Sequence, residues 1–312
     1  MTDITMELVK KKKGKALKKN IKNSMGEYII EKFIFILGIT SIAIIALIFL
    51  FLFRSGIQLF NDITLQEFLF GRYWFPISVN PQYGILPLVA GTLMVTLGAV
   101  FISVPLGIGS AIFIAEVAPP KTKTVLKVII EFLSAIPSVV LGFLGIVFLS
   151  SWIRVTFHLS SGFTVLTGSI LVSFMALPTI ISISDDALNA LPQEYHEASF
   201  ALGATKWETI LHVLVPAASS GIIAAVMLGV GRAIGETMTV MMVTGNAAQI
   251  PNSFLVSGRT MTATIAAEMG DTVRNGTHYH ALFAVGIVLF LMTSIINFIA
   301  DFALSHGKKE AR

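Results

Sequence analysis

The 312-residue chain has no cysteine and little charge, only 13% Asp, Glu, Lys and Arg, roughly half of the ~25% usual in soluble domains. The missing thiols exclude disulfides, thiolate metal sites and cysteine nucleophiles. No GxxxxGK[ST] phosphate loop occurs. The nearest approach, "LGATKWET", lacks the second glycine beside its lysine, so ATP binding by that device is excluded. A serine nucleophile elbow and an HExxH zinc helix are absent as well. The "HYH" at 278–280 offers two histidines without evident further ligands, which argues against a metal site. Acidic residues inside apolar segments are too few to form a proton relay. These absences disfavour an intramembrane enzyme and leave a transporter or channel component.

Apolar sequence dominates: 54% of residues are hydrophobic, in stretches that match the ~30 Å hydrocarbon layer of a bilayer. The pattern predicts an all-α membrane protein with six spans, at 33–53, 86–115, 128–150, 163–184, 215–243 and 281–304. Pro105 in "VPLGIGSA" is expected to kink or break the second span, and Pro137 in "SAIPSVVLGF" to do the same at the opening of the third. The N-terminal "KKKKGKALKKNIK" precedes an apolar segment longer than a signal-peptide core, with no small-residue cleavage site, and reads as a retained anchor. The organisation expected is a basic tail (1–32), a first span with its loop (33–85), a five-span core (86–304) containing the cytoplasmic loop 185–216, and a tail (305–312).

Lysine distribution gives the orientation. All 15 lysines lie in the N-terminal tail, the loops 116–127 and 185–214, and the C-terminal tail. With six spans, these segments share one side of the membrane. The opposite loops, 54–85, 151–162 and 244–280, hold five arginines and no lysine. The positive-inside rule then places both termini in the cytoplasm. Among the outer loops, 54–85 carries the aromatic "FGRYWFP", suited to an interface or a docking surface. The 244–280 loop carries Arg259, Glu268, Asp271 and Arg274, read either as partner contacts or as an ordinary solvated loop.

Between spans four and five, "DDALNALPQEYHEASFALGATKWETILHVLVP" has helical periodicity interrupted by Gly203. The expected form is a helix–turn–helix on the cytoplasmic surface, half apolar and half charged, either a docking element or an amphipathic connector that sits on the bilayer. Glu197-Ala198-Ser199, three residues, Gly203, nine residues and Val213-Leu214-Val215-Pro216 resemble the EAA loop of binding-protein-dependent ABC importer permeases. That pattern reads EAA, three residues, glycine, nine residues and I-x-L-P. The chain departs from it at Ser199, Val213 and Val215 with the spacing intact. The resemblance implies that Glu197, Ala198, Ser199, Gly203, Ala204 and Pro216 couple this loop to an ATPase subunit.

"YGILPLVAGTLMVT", "VPLGIGSAIFIAEVAP", "SAIPSVVLGF" and "GVGRAIGETMTVMMVTGN" extend the resemblance to PstC-type permease subunits of phosphate importers. The sister PstA type shares "RAIGET" but continues differently. The resemblance implies a MetI-like type I importer fold and no enzymatic activity or cofactor in this chain, ATP and Mg being bound by partners. The implied partners are a PstA-like second permease, two PstB-like ATPases and a PstS-like phosphate-binding protein outside a bacterial or archaeal inner membrane. A permease for molybdate or sulfate, and an ATP-independent secondary carrier, are the alternatives.

"GRAIGET" carries the chemistry. Arg232 is the only basic residue within a span, and an intramembrane charge is costly unless it serves a pathway or a pair. An oxyanion losing its hydration needs a positive, forked donor, which arginine supplies. In one continuous helix Glu236 would lie a turn away on the same face and pair with Arg232. Two readings stand: Arg232, Glu236 and Thr237 form part of the substrate path, or the ion pair braces the bundle. The small residues Ala217, Gly221, Ala225, Gly229 and Ala233 form one stripe, and Gly231 with Gly235 a GxxxG pair beside it. Both are expected to let neighbouring helices approach closely.

Overall fold

The computed structural model describes residues 2–310, with side chains described from Tyr28 to Ile299. The expectations for the basic tail up to residue 27 and for the tail 305–312 lie outside the described side chains. The chain divides into two compact units, 1–54 and 55–312. The first is the body of α1 (Thr2–Gly56). Its described side chains are apolar on every side and exposed, among them Phe33, Ile34, Phe35 and Ile36. A helix apolar all round belongs in a protein core or in lipid.

In the second unit, Thr64 caps α2 (Leu65–Phe70), and β1 (Trp74–Phe75) pairs antiparallel with β2 (Gln82–Tyr83). α3 (Leu86–Ile112) ends in a π-helical turn, and α4 (Pro120–Ala135) follows. α5 (Ser138–Leu144) runs through a second π-helical turn into α6 (Ser151–Thr156). α7 (Val165–Asn189), α8 (Glu194–Ala201), α9 (Lys206–Thr209) and α10 (Val215–Ala217) lead to α11 (Ser219–Gly235). α12 (Met238–Val243), α13 (Met261–Glu268) and α14 (Thr277–Glu310) complete the chain. Five segments are long and apolar enough to cross a bilayer: Tyr28–Asn61, Leu86–Val117, Ser138–Thr156, Val165–Asn189 and Thr277–Ile299. The sixth is the pair Lys206–Ala217 and Ser219–Gly235, bent by 70°. Its first turn, with Lys206 and Glu208 exposed, belongs to the preceding loop.

Three spans differ from their sequence expectations. The second runs unbroken through Pro105, which sits on the exposed flank of α3 while Ala99, Ser103, Gly107 and Ala111 stay buried on the other. One missing N–H bond is outweighed by that packed face. The third begins at Ser138 rather than 128. Pro119 and Pro120 start α4 as a separate helix, and Pro137 keeps Ile136 extended between α4 and α5. The fifth is not one helix over 215–243: it bends at Ala218 and stops at Gly235.

α7 is the bundle's centre. Gly107 of α3 and Gly229 of α11 both abut its Ile180, where a Cβ added to either glycine would stand 2.6 Å from an isoleucine carbon. Gly221 meets Ala187 of α7 in the same way, and Ala225 and Ala233 are buried. The stripe thus packs as expected from Gly221 onward, while Ala217 is exposed. At Gly231 and Gly235 an added Cβ would find no atom of the described residues within 4 Å, so neither glycine packs a helix of this chain closely.

Candidate translocation site and coupling loop

The span's polar centre is a break. α11 ends at Gly235, and Glu236 takes an extended conformation (φ −66°, ψ 130°). Its carboxylate accepts from the backbone N–H of Thr239 at 3.0 Å, capping α12, and its carbonyl accepts from the Thr262 hydroxyl at 2.8 Å. Thr237 donates its hydroxyl to the Gly235 carbonyl at 3.1 Å, closing the end of α11. Thr239 in turn donates to the Ser138 carbonyl at 2.9 Å, which joins this break to the one after Pro137.

The expected Arg232–Glu236 ion pair does not form among the described residues. The i,i+4 geometry it needs is lost where the helix stops, and the carboxylate is spent on α12. Arg232 instead donates Nη1 to Thr179 of α7 at 3.3 Å. Its side chain is exposed, as are Leu228 and Gly235 beside it, and an added Cβ at Gly231 or Gly235 would meet no described atom within 4 Å. Most of the guanidinium fork is therefore free to donate.

The loop after α7 has the expected helix–turn–helix form. Gly203 holds φ +83°, a left-handed conformation that side chains strain to adopt. Ser199, in place of the usual alanine, finds a partner: its hydroxyl lies 2.9 Å from that of Thr209 and pins α8 to α9. Thr205 and Glu208 form a capping box that starts α9. The backbone hydrogen bond from Thr205, followed by its hydroxyl, holds the Glu208 carboxyl below the usual carboxylate range. Leu188, Ile210 and Leu214 anchor the loop in the bundle. Tyr195, Phe200, Leu202 and Trp207 are exposed beside Glu197, Ala198 and Gly203, while Ala204 is half-buried and Pro216 exposed. Aromatic and apolar side chains are thus clustered as an exposed knob on a tight turn.

On the opposite side, Glu268 gathers three donors. Trp74 Nε1 reaches its carboxylate at 3.0 Å, Arg259 Nη1 at 2.5 Å and His278 Nε2 at 2.9 Å. Arg259 also donates Nε to the Asn246 carbonyl. The aromatic loop and the 244–280 loop are therefore one body, with Trp74 buried edge-on to Tyr83. Burial, assisted by Asp62, raises the Tyr83 phenol above its ordinary pKa. His280 bonds the Ser55 carbonyl. Residue types in the loop marked these charges, but no local signal links Glu268 to Trp74, 194 positions away.

The described residues thus combine a bundle of spans, a charged helix broken at Glu236 and a tight turn that exposes apolar side chains. Residues 103–307 match the family described as binding-protein-dependent transport system inner membrane component. The chain belongs to that family and is a membrane-spanning ABC importer permease. It is 41% identical over 261 residues to the probable ABC transporter permease protein YqgH of Bacillus subtilis, covering 83% of this chain and 84% of that one. It is 34% identical over 257 residues to the phosphate transport system permease protein PstC of Mesorhizobium japonicum, covering 76% and 78%. The fold is similar to a crystal structure of a bacterial ABC transporter for alginate import (TM-score 0.60, 16% identity, 87% of this chain and 96% of that one). An inward-facing methionine transporter, MetNI, is similar too (TM-score 0.54, 21% identity, 72% and 94%).

Proposed function

We propose that this chain is the PstC-type subunit of an importer that carries inorganic phosphate into the cytoplasm. The observation that carries the proposal is the open Arg232 guanidinium, flanked by Gly231 and Gly235 on α11. The named PstC relatives support the choice of phosphate. A dianion entering against the membrane potential faces about 4.6 kcal/mol per 100 mV, so inward transport needs an energy source that this chain does not hold. PstB-like ATPases on the Gly203 knob would supply it. A PstA-like permease would cover the Arg232 face, and a PstS-like protein would deliver phosphate from outside. The lysine asymmetry supports cytoplasmic termini. In this reading Glu236 and Thr237 shape the break that leaves Arg232 available, rather than neutralising it.

Another tetrahedral oxyanion is the second reading, because the fork of Arg232 serves sulfate or molybdate equally and the YqgH relative's name gives no substrate. Arg232→Gln tests the role. Phosphate uptake should fall by at least about 100-fold, while the subunit still inserts and assembles. Uptake at the wild-type rate would remove Arg232 from the path.

A further inference from the structure

α4 is fastened to the bundle in an unusual way. None of its side chains is fully buried. Leu126 and Ile130 lie against Ala111, Ile114 and Ile181, but along one flank a groove of about 440 Å³, lined by Pro105, Gly109, Phe113 and Ile129, separates α4 from α3. The specific attachment is polar. Lys127 Nζ meets Asp185 Oδ2 at 2.5 Å, and Lys123 Nζ donates to Asn189 Oδ1 at 2.9 Å. Asn189 Nδ2 donates to Asp185 Oδ1 at 2.8 Å and closes the ladder. Each pair of rungs is one helical turn apart, at 123 and 127 on α4 and at 185 and 189 on α7. Asp185 is only 3% exposed, and Lys127 is its counter-charge.

The ladder sits between the two working ends of the protein. Asn189 is the last residue of α7, five positions before the coupling helix α8 begins. At its other end α4 meets the Pro137 elbow. The next carbonyl, that of Ser138, accepts from Thr239, whose N–H caps onto Glu236. One rigid arm therefore joins the base of the coupling loop to the break beside Arg232.

Resting on the coupled import proposed above, we infer that Lys123 and Lys127 are positioning residues for transport. Through Asn189 and Asp185 they fasten α4 to the helix that feeds the coupling loop. Displacement of that loop by the ATPase is delivered along α4 to the Pro137 elbow and the Glu236 break. A chain that lost the ladder would still dock its ATPase, because the Gly203 knob is untouched, but the arm would slip in its groove.

The test is the ratio of uptake to ATP hydrolysed, measured for the complete transporter in proteoliposomes with its binding protein, using phosphate, sulfate and molybdate in parallel. Lys127→Met and Lys123→Met should each lower the ratio about tenfold, with hydrolysis changed by less than about twofold. Lys127→Arg should keep the ratio, and Lys127→Asp combined with Asp185→Lys should recover much of it. A wild-type ratio in both methionine variants overturns the inference. So does a parallel fall of uptake and hydrolysis with loss of assembled complex, the mark of a static brace. If the wild-type complex carries none of the anions under ATP, the import reading itself fails, an outcome separate from any behaviour of the lysine variants.

Discussion

Gly229→Ala perturbs the packing on which the central bundle depends. The new methyl would lie 2.6 Å from Ile180 Cγ1 and 2.8 Å from Cδ1, against ordinary carbon contacts of about 3.5–4.0 Å. Ile180 must therefore retreat by about 1 Å. It has nowhere to go: it is 1% exposed, and Gly107 presses from α3 so closely that a Cβ there would be 2.6 Å from Ile180 Cγ2. Overpacking of this kind costs about 1–3 kcal/mol. Replacing glycine within a helix returns about 1 kcal/mol. The expected net loss is thus up to about 2 kcal/mol. Gly109→Ala, with no atom within 4 Å of the added methyl, should instead be neutral or gain up to about 1 kcal/mol. Unfolding by SDS titration in mixed micelles, followed by circular dichroism, reads both. Ile180→Ala alone should cost about 2–5 kcal/mol. Combined with Gly229→Ala it should cost less than the sum, by about 1–3 kcal/mol. Additivity within about 0.5 kcal/mol would refute the wedge between the glycines.

The coupling loop and the outer loops make further predictions. Gly203→Val forces a β-branched side chain into the left-handed region and should cut ATPase attachment in pull-down, whereas Gly203→Asn should retain most of it; equal attachment by both would contradict the turn's role. Thr205→Ala removes the cap of α9 and should lower the loop's stability by about 1 kcal/mol, seen as weaker amide protection over residues 205–210. Because the Glu208 pKa is depressed, its ionised form stabilises the loop fully above the usual carboxylate range. That stabilisation is lost only as pH falls through the lower folded value, so amide protection factors should stay flat from neutral pH down to about 5. Glu268→Ala strands the donors of Trp74, Arg259 and His278 and should cost about 1–3 kcal/mol, with Glu268→Gln milder; Trp74 fluorescence during unfolding checks both.

Much of the fold is legible in the chain. Apolar length marks the spans, and the spacing from Glu197 to Pro216 locates the helix–turn–helix loop. The small residues from Gly221 to Ala233 mark the face packed on α7. What cannot be read is set by distant partners. "GRAIGETM" contains no proline, and the break at Glu236 is held by Thr262, 26 positions on, and by the carboxylate turning to cap α12. Arg232 stands out in the sequence as the span's lone cation, but its pairing with Glu236 presupposes a continuous helix. α4 merges with the third span for a similar reason: its apolar stripe resembles membrane sequence until its lysines are seen gripping Asp185 and Asn189. The Glu268 cluster joins four separate segments through side chains that no periodicity relates.

We propose that this permease carries phosphate under the drive of a partner ATPase. The most direct measurement is uptake into proteoliposomes containing the assembled complex, comparing phosphate, sulfate and molybdate with and without ATP and the binding protein. Phosphate should accumulate only with both additions, far exceed the other two anions and fail to accumulate in Arg232→Gln. Robust uptake by this chain alone without ATP, or a preference for sulfate or molybdate, would contradict the proposal.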